Sequence, residues 1–530
     1  MRLCKVRIGA YKTLRNATLI LHSDHSEPNC SGPSVQFFVG VNGSGKSSML
    51  EAIGLIFTRI MQDESPGFDF ELVYQMPDGA EVVVTPLHSD SKHEDNRKKL
   101  DVCIRKKGAA QQTRTHTIPQ AYRPDRIIAY CSGSNHAMDH VLRHYPKAAV
   151  ANELYGMVDS HESEIDDAYR QELLQHYEQL DVNPQTLYLD ATTSKFIIPV
   201  LFAVLPMNLL TMDGFSDRER YRHLQTLLLE RLGFSMQPVA FSLIIDEDKM
   251  SETVSAHLDM LELILSAGGD SRTIYDWASD SQSFRGQTEG EQVGVQEKRV
   301  VFLYEKSDDL NVPYYHKALQ TVCNGDPFPL LSTLIGLHQQ NIIKDIHMSF
   351  QREGCQELLE MDALSDGELM WLARMGLILM SQKYCSSNNL FLFDEPDVHF
   401  NDDWNKDFVD LLYKMSTGTS HQFIIATHSS LLLTDVLSKQ LHLFRTNLET
   451  GTTVERPAIS TFAAQRERIA AQVFETDAIG SYAQSKIEDF LNETDADKLL
   501  DDIYSVGPGY SRFRLYKHYY NIVSNDPARE

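Results

Sequence analysis

The chain has 530 residues, of which 42% are hydrophobic and 23% charged, and its formal net charge is −25 at pH 7. This length supports a large core with further subdomains, and no apolar run approaches the roughly 20 residues of a membrane helix. The acidic excess excludes a generally basic surface that coats nucleic acid, so nucleic-acid contact is expected only locally or through a partner.

The cysteine pattern and the N-terminal sequence predict the redox state of the thiols and the location of the protein. The seven cysteines are scattered singly, without a C-x-x-C pair or a Cys/His spacing that would make a zinc site. The opening sequence lacks the apolar core and cleavage site of a signal peptide. We therefore expect reduced thiols and a cytoplasmic protein that does not associate with a membrane.

Residues 1–135 predict the first lobe of an α/β fold. A strand-like opening segment and a polar loop are followed by the strand VQFFVG, a glycine-rich turn and an apolar helix. From Phe68 to Ile128, apolar and polar residues alternate around turn signals, which predicts antiparallel strands. The first lobe should therefore combine a mixed sheet, which carries the loop and its helix, with an antiparallel side sheet.

The rest of the chain predicts three further regions. Residues 136–354 are predicted as a mostly helical insertion with a poorly defined Gly/Ser-rich segment, although VAFSLIID and RVVFLYEK have the pattern of strands. Residues 355–450 alternate helices with buried strands and predict a second lobe. Residues 451–530 predict a mainly helical tail. No heptad run is sustained, so no long coiled coil is predicted.

The glycine-rich turn fits the motif G-x-x-x-x-G-K-[ST] and lies between a strand and a helix. Its glycines let backbone N–H groups approach phosphates, Lys46 adds a charge at the β- and γ-phosphates, and the hydroxyl of Ser47 can bind Mg²⁺. Asn42 is the loop residue best placed to reach the γ-phosphate. The predicted nucleotide-binding residues of the loop are Gly40, Asn42, Gly43, Ser44, Gly45, Lys46, Ser47 and Ser48.

Two later strands end in polar residues that suit phosphate chemistry. The strand LFLF ends in Asp394 and Glu395, and buried carboxylates are costly unless they are paired or near a metal. We predict that Asp394, with Ser47, holds Mg²⁺ and that Glu395 polarises the attacking water. The strand FIIAT precedes His428. Alone, such a histidine would be a structural residue, but its place after the acidic pair predicts a phosphate contact.

The segment Leu364-Ser-Asp-Gly-Glu368 lies at the N-terminus of a predicted helix. There the hydroxyl of Ser365 and the free N–H groups can form an anion site. Taken alone, the segment is an ordinary helix cap. Its position shortly before the strand that ends in Asp394 makes it a candidate part of the same site.

The order of these four elements resembles the ABC/SMC/Rad50/RecF family of ATPases. The resemblance implies ATP and Mg²⁺ as cofactors and a homodimer clamped by ATP. It implies that Ser365 and Gly367 act in trans, on nucleotide held by the other copy. It also implies that ATP hydrolysis depends on three catalytic residues, Asp394, Glu395 and His428.

The resemblance extends to one weaker position and has two departures. Lys12 follows an aromatic residue, Tyr11, and in the family such a basic residue often touches nucleotide; the alternative for Lys12 is a surface lysine. Asp366 replaces the usual glycine of the signature, and the segment Asp397–Asn401 lacks the usual leucine.

Two further stretches resemble the PtuA-type ATPase subunits of Septu and retron anti-phage systems. One is the strand end Tyr130-Cys-Ser-Gly133-Ser-Asn135, and the other runs through the tail from Thr461 to Ala483. This resemblance implies a bacterial defence complex in which ATP controls a partner HNH nuclease. In the retron version the complex also holds a reverse transcriptase with its non-coding RNA and branched RNA–DNA product. The chain has no HNH-like metal cluster, so nuclease activity is expected in another subunit.

Other functions remain open at this level. A RecF-like DNA-repair or DNA-sensing ATPase would use the same motifs. A single-chain nuclease of the overcoming-lysogenization type would need an acidic pair after a strand, and Asp495-Ala-Asp497 has no apolar strand before it. Near the C-terminus, cationic residues alternate with aromatic ones from Arg512 to Tyr520, which predicts either a single-strand binding surface or a helix that packs its aromatics inward.

Overall fold

The computed structural model describes residues 1–22, 32–87, 100–106, 112–132, 185–201, 236–246, 272–276, 297–303, 327–352, 358–381, 388–447, 451–475 and 479–524. The chain divides into two compact units, Met1–Ala463 and Ala464–Glu530. The first unit holds every strand of the described part of the chain.

Eighteen strands lie in the described residues. In chain order they are β1 (Arg2–Tyr11), β2 (Leu14–Ile20), β3 (Ser34–Val39), β4 (Phe70–Gln75), β5 (Glu81–Pro86), β6 (Leu100–Arg105), β7 (Gln112–Thr115), β8 (Ile127–Cys131), β9 (Thr186–Leu189), β10 (Met236–Asp246), β11 (Arg272–Asp276), β12 (Glu297–Leu303), β13 (Ile343–Arg352), β14 (Leu358–Glu360), β15 (Leu390–Asp394), β16 (Gln422–Ala426), β17 (Leu441–Asn447) and β18 (Gly451–Glu455).

The main α-helices of the described residues follow the same order. Unit 1 contains α1 (Lys46–Met61), α2 (Phe328–Gln339), α3 (Asp366–Met380) and α4 (Asp402–Met415). Unit 2 contains α5 (Arg466–Val473), α6 (Ser481–Leu491), α7 (Ala496–Ser505) and α8 (Tyr510–Ser524). The described residues from 466 to 524 are therefore mainly helical, as predicted.

A seven-stranded mixed sheet forms the centre of unit 1, in the order β18-β17-β3-β16-β15-β8-β9. Its neighbouring strands pair in parallel except β17 and β18, which are antiparallel. The strands β3, β8 and β16 are buried along their whole length, which explains why their sequences are mostly apolar and do not alternate. The sheet draws strands from both predicted lobes, and it also takes in β9, from the predicted insertion.

The antiparallel side sheet has six strands in the order β2-β1-β4-β5-β6-β7. Residues alternate between buried and half-exposed along β4 and β5, as expected for a sheet with one covered face. Helix α1 contacts strands of both sheets, and its apolar residues join one continuous core with them. Burial on two sides accounts for an α1 sequence that is apolar nearly all round.

The described part of residues 136–354 contains the two strands that the sequence predicts there, since VAFSLIID lies in β10 and RVVFLYEK begins in β12. The described residues between 236 and 352 are mostly strand: β10 pairs with β12 and β13 in a five-stranded antiparallel sheet, and α2 packs against β13. The apolar runs at β10 and β12 are antiparallel neighbours, with Ala240 opposite Leu303 and Asp246 opposite Glu297. Residues 133–184 and 202–235 lie outside the described residues, so their helical content stays a prediction.

Unit 2 has its own small core. Four buried residues form it, and partly buried aromatic and aliphatic side chains pack against them. The buried residues come from three helices: Ile487, Leu499, Ile503 and Leu515. Asp495 caps α7 by accepting hydrogen bonds from the backbone of Asp497 and Lys498, which assigns the Asp-Ala-Asp segment a helix-capping role.

Candidate active site

The predicted site residues lie at one edge of the central sheet. Strands β3, β16 and β15 are adjacent and parallel, with Phe38 opposite Ala426 and Ala426 opposite Asp394. Their carboxyl ends therefore meet, and the segment after each strand carries polar groups. The glycine-rich loop follows β3, Glu395 follows β15 and His428 follows β16.

The loop backbone needs glycine at two positions. Gly40 has a φ of 145°, and a Cβ there would lie 2.5 Å from the carbonyl oxygen of Phe444 on β17. Gly45, at the start of α1, has a φ of 97°, and a Cβ there would lie 3.0 Å from Leu14. Side chains larger than hydrogen would strain both positions. The loop is thus held between β17 and the hairpin of β1 and β2.

Lys46 points into this loop. Its Nζ donates hydrogen bonds to the carbonyl oxygens of Gly40 at 2.9 Å and Val41 at 3.1 Å. Burial lowers the pKa of Lys46 to about 8, while the carboxylates of Glu395 and Asp394 oppose that change. The loop therefore holds a buried positive charge beside its own backbone N–H groups, an arrangement that suits phosphate.

Asp394 has the features of a metal ligand. Burial raises its pKa to about 6, and a hydrogen bond with the Ser47 side chain opposes that rise. Among the described residues, its Oδ1 is buried and has no hydrogen-bond partner. A buried carboxylate oxygen with an unused lone pair, next to a hydroxyl, matches the hard oxygen ligands that Mg²⁺ prefers. The residues present therefore fit a magnesium ion.

Glu395 and His428 form a pair at the same edge. The His428 Nε2 lies 3.2 Å from the Glu395 Oε1. This hydrogen bond is the main reason why the pKa of Glu395 is lowered. Glu395 also has a φ of 51°, and its backbone N–H donates to Ala426 at 2.8 Å. The carboxylate is thus held ionised, half-exposed and oriented, as a general base must be.

The segment after Glu395 is fixed by contacts that the sequence motifs did not predict. Thr427 donates a 2.7 Å hydrogen bond to Asp397, and burial raises the pKa of Asp397. The guanidinium of Arg374, on α3, donates to the carbonyl oxygens of Pro396 and of Val398. These contacts connect the ends of β15 and β16 with the middle of α3.

One sequence signal could have indicated Arg374. It is the only charged residue between Leu369 and Met380, a stretch that is otherwise apolar or glycine. A lone arginine in an apolar helix predicts a buried group that needs specific partners. Its side chain is in fact almost fully buried, and burial lowers the pKa of its guanidinium.

Ser365 and Gly367 begin α3 and lie on the segment predicted to act in trans. The Ser365 hydroxyl donates to the Glu368 carboxylate at 2.7 Å and accepts from the Glu368 backbone at 3.3 Å. In the described part of the chain these hydrogen bonds of the Ser365 side chain go to Glu368 alone, and Ser365 is exposed. A Cβ on Gly367 would lie 2.7 Å from the carbonyl oxygen of His399, so α3 packs closely against the segment after Glu395.

Lys12 contacts a carboxylate. Its ammonium pairs with the buried side chain of Glu51 on α1, and the Tyr11 hydroxyl lies 3.4 Å from the same carboxylate. Next to it, the Thr13 hydroxyl donates to Ser48 at 3.2 Å. The hairpin thus lies against the first turns of α1, and nucleotide contact by Lys12 stays a prediction. Asn42 is exposed in the loop.

The strand end that begins at Tyr130 lies next to the acidic pair. The backbone N–H of Ser132 donates to the carbonyl oxygen of Asp394 at 3.2 Å. Gly133 and Asn135 lie outside the described residues.

None of the helices in the described ranges is long and apolar enough to cross a membrane. In the same ranges, no three His, Cys, Asp or Glu side chains cluster as a metal site would require.

Comparison with protein families gives one match. Residues 258–434 match a family model described as an AAA domain, putative AbiEii toxin, Type IV TA system. The match covers about a third of the chain and includes Ser365, Asp394, Glu395 and His428, whereas the glycine-rich loop precedes it. No curated protein matches the chain.

Solved structures with some similarity include three SMC heads. The SMC head domain from Thermotoga maritima is 12% identical, with 87% of this chain and 100% of that chain covered at a TM-score of 0.30. An Smc head domain with an extended coiled coil, bound to the C-terminal domain of ScpA and derived from Pyrococcus furiosus, is 11% identical, with coverages of 86% and 96% and a TM-score of 0.27.

An SmcHead bound to the C-winged helix domain of ScpA is 12% identical, with coverages of 86% and 97% and a TM-score of 0.28. With TM-scores this low, the three structures add nothing to the assignment of the site. The segment that is similar to an AAA domain contains Asp394 and His428, and the strand before His428 pairs with the strand that precedes the glycine-rich loop.

Proposed function

We propose that this protein binds ATP with Mg²⁺ and hydrolyses it to ADP and phosphate in a site that two copies complete. One observation carries the proposal: Lys46, Asp394 and the Glu395–His428 pair converge at the ends of three adjacent parallel strands. A buried cation suits the phosphates, a carboxylate oxygen without a hydrogen-bond partner suits the metal, and an oriented base suits the attacking water.

Each residue has a distinct role in this proposal. Lys46 and the loop N–H groups bind the β- and γ-phosphates, while Ser47 and Asp394 hold Mg²⁺, which when bound neutralises charge on the phosphates. Glu395 accepts a hydrogen bond from the attacking water and orients it in line with the bond that breaks. His428 keeps the Glu395 carboxylate in place through its 3.2 Å contact and would contact the γ-phosphate.

The second copy supplies Ser365 and Gly367 in this proposal. Ser365 is exposed and caps α3, so the free N–H groups of the first turn face outward with it. The Ser365 hydroxyl is occupied by Glu368 in a single copy. Binding the γ-phosphate of a partner would therefore exchange this hydrogen bond for one to the nucleotide, which couples ATP to dimer formation.

The exchange Glu395→Gln tests the chemistry. We expect turnover to fall by about 10²-fold or more, because the base is lost, while ATP binding persists. Dimers should accumulate in ATP, as seen by light scattering. The exchange Glu493→Gln, at a carboxylate of unit 2, is the matched control and should turn over ATP normally. Full turnover in Glu395→Gln would refute the assignment of the base.

Mixed dimers test the shared site. Lys46→Ala and Ser365→Arg each inactivate both sites of a homodimer under this proposal. A heterodimer of the two variants keeps one intact site and should recover part of the activity. A mixture that stays inactive after exchange of subunits has been demonstrated would count against action in trans.

We further propose a regulatory role in a bacterial anti-phage complex, in which the ATP state controls a partner HNH nuclease. In the retron version a reverse transcriptase with its non-coding RNA and branched RNA–DNA product would join the complex. The sequence resemblance at Tyr130 and in the tail supports this role, and the matched family is described as a putative toxin of a toxin–antitoxin system. Purification of the tagged chain from its native cell tests this role. A nuclease that copurifies in an ATP-dependent manner would support the role in defence. Copurification of DNA-repair proteins would instead support the RecF-like alternative.

A further inference from the structure

Helix α8 is unusual for this chain in its charge. It contains Arg512, Arg514, Lys517 and His518 and neither Asp nor Glu, although the whole chain has a net charge of −25. The same helix has five aromatic residues: Tyr510, Phe513, Tyr516, Tyr519 and Tyr520. A local cationic and aromatic element is what nucleic-acid contact would require in a protein whose overall charge opposes it.

One face of α8 packs inward. Leu515 is buried, and Tyr516 and Tyr519 pack against the unit 2 core. This matches the interpretation of the sequence as an amphipathic helix. That interpretation accounts for only part of the helix, however, because the other three aromatic residues do not join the core.

The opposite face carries the remaining aromatics together with cations. Tyr510 is 76% exposed, Phe513 64% and Tyr520 63%. Arg514 and Lys517 are exposed as well. Spacings of three and four residues place all five side chains on one side of a helix. We refer to Tyr510, Phe513, Arg514, Lys517 and Tyr520 as the α8 stripe.

The stripe has the dimensions of a short binding surface. At a rise of about 1.5 Å per residue, its first and last aromatics are about 15 Å apart along the helix. Phe513 has no polar group to compensate for its exposure to water, and clustered exposed aromatics mark sites of interaction. Arg512 lies outside the stripe: its guanidinium is 5.8 Å from the ring of Tyr516, on the inward face, and 5.9 Å from the ring of Tyr504 on α7.

We propose that the α8 stripe binds single-stranded nucleic acid, with bases stacked on Phe513 and Tyr520 and phosphates paired with Arg514 and Lys517. Flat rings at helical spacing offer platforms for unstacked bases, which a duplex does not present. The helix α8 itself carries no carboxylate that would repel phosphates. The proposal does not depend on ATP binding or hydrolysis.

Fluorescence anisotropy of the full-length protein with a labelled oligothymidylate of about 20 nucleotides tests the proposal, since single-strand sites span roughly 4–16 nucleotides. We expect Phe513→Ala with Tyr520→Ala to weaken binding at least about tenfold, because each stacked base contributes about 1–3 kcal/mol. The matched control is Phe462→Ala, which removes an aromatic side chain of unit 1 that is 54% exposed, and it should bind as the wild type does.

The cations are tested by salt dependence. Replacing Arg514 and Lys517 by Gln should lower the slope of log affinity against log salt by about 1.4, since each phosphate contact on a single strand contributes about 0.7. Lys406→Gln, at an exposed lysine of α4, is the control and should leave the slope unchanged. Parallel titrations with single-stranded RNA and with duplex DNA identify the strand type.

The outcomes separate the proposal from its alternatives. Single-strand binding that is lost in the stripe variants and kept in both controls supports it. Wild-type protein that binds no single strand at low salt overturns it, and so does binding that the stripe variants leave intact. If the stripe variants change only the association state in size-exclusion chromatography, the surface is a protein interface and the proposal is wrong.

Discussion

Arg374 and Tyr130 connect the helix that follows Ser365 with the strand that lies beside Asp394. The Arg374 Nη2 donates a 2.6 Å hydrogen bond to the Tyr130 hydroxyl, and the guanidinium carbon lies 4.4 Å from the centre of the Tyr130 ring. The other terminal nitrogen of Arg374 donates to the carbonyl oxygens of Pro396 and Val398. A displacement of α3 would therefore move the backbone just after Glu395.

We expect Arg374→Met to lower both stability and ATP turnover. Methionine fills a similar volume but leaves two buried carbonyl oxygens without a donor, which should reduce the free energy of unfolding by about 2–3 kcal/mol. Turnover should fall about tenfold, because the segment after Glu395 loses its support. Urea denaturation and steady-state ATPase assays measure the two effects.

Tyr130→Phe is the matched control for Arg374. It removes only the hydroxyl that accepts from Arg374 and keeps the ring, so it should cost about 1 kcal/mol of stability and little turnover. If Arg374→Met were as stable and active as the wild type, the contacts of Arg374 with Pro396 and Val398 would have no role in the site.

We expect Gly367→Ala to separate α3 from the segment after Glu395. The added Cβ would lie 2.7 Å from the carbonyl oxygen of His399, a backbone atom that cannot rotate away. Turnover should fall by about an order of magnitude, and the protein should lose about 1–3 kcal/mol of stability, as overpacking does.

Gly507→Ala is the control for the Gly367 exchange. No atom lies within 4 Å of a Cβ built on Gly507, so this variant should match the wild type in stability and turnover. Wild-type turnover in Gly367→Ala would show that the close approach of α3 to His399 does not matter for catalysis.

The sequence allowed part of the site's layout to be predicted, because the motifs follow strands whose ends meet in a parallel sheet. The loop at Lys46, the acidic pair at Asp394 and His428 each follow an apolar strand, and parallel strands bring such ends together. The contact of Arg374 with Tyr130 joins residues 244 positions apart, and no local pattern specifies its partner. The same holds for Lys12 and Glu51, which meet because a hairpin packs on α1.

The insertion shows a different limit of sequence analysis. The apolar runs at β10 and β12 correctly predicted strands, but no local pattern specified the sheet that they form. The pairing of β10 with β12 and β13 joins segments that lie far apart along the chain. At α8, periodicity correctly indicated a helix but could not say which aromatics faced the core.

We expect the protein to lose stability steeply as the pH falls from 6.5 towards 4. Burial lowers the pKa values of His421 and of His442 to about 3, whereas an unfolded histidine has a pKa near 6.5. Between these values the unfolded chain binds more protons than the folded one. The stability is therefore complete above about pH 6.5 and is lost below it.

The size of this effect follows from the same pKa difference. At pH 5 each of these histidines should cost about 2 kcal/mol, measured as the difference between urea denaturation at pH 7 and at pH 5. His442→Gln keeps a donor for Gln36, which His442 contacts at 2.9 Å. Because burial also lowers the pKa of His22, to about 4, this exchange should remove about a third of the pH dependence that the three histidines contribute. His116→Gln, at an exposed ring, is the control. An unchanged pH dependence in His442→Gln would contradict the assignment.

Ser365→Asp should separate the structural role of Ser365 from its proposed role in trans. Aspartate still caps a helix, but its carboxylate cannot donate to Glu368 as the serine hydroxyl does, so the protein should lose about 1 kcal/mol of stability and remain folded. In an ATP-bound dimer, however, the new carboxylate would face the γ-phosphate of the other copy, and like charges repel. We expect the isolated chain to bind ATP as the wild type does, and light scattering to show no ATP-dependent dimers. Turnover should fall by about 10-fold or more, which is the size expected when one charge-assisted contact is lost. Ser481→Asp, at the exposed first residue of α6 in unit 2, adds the same charge elsewhere and should dimerise normally. A Ser365→Asp protein that still forms active dimers would show that Ser365 only caps α3.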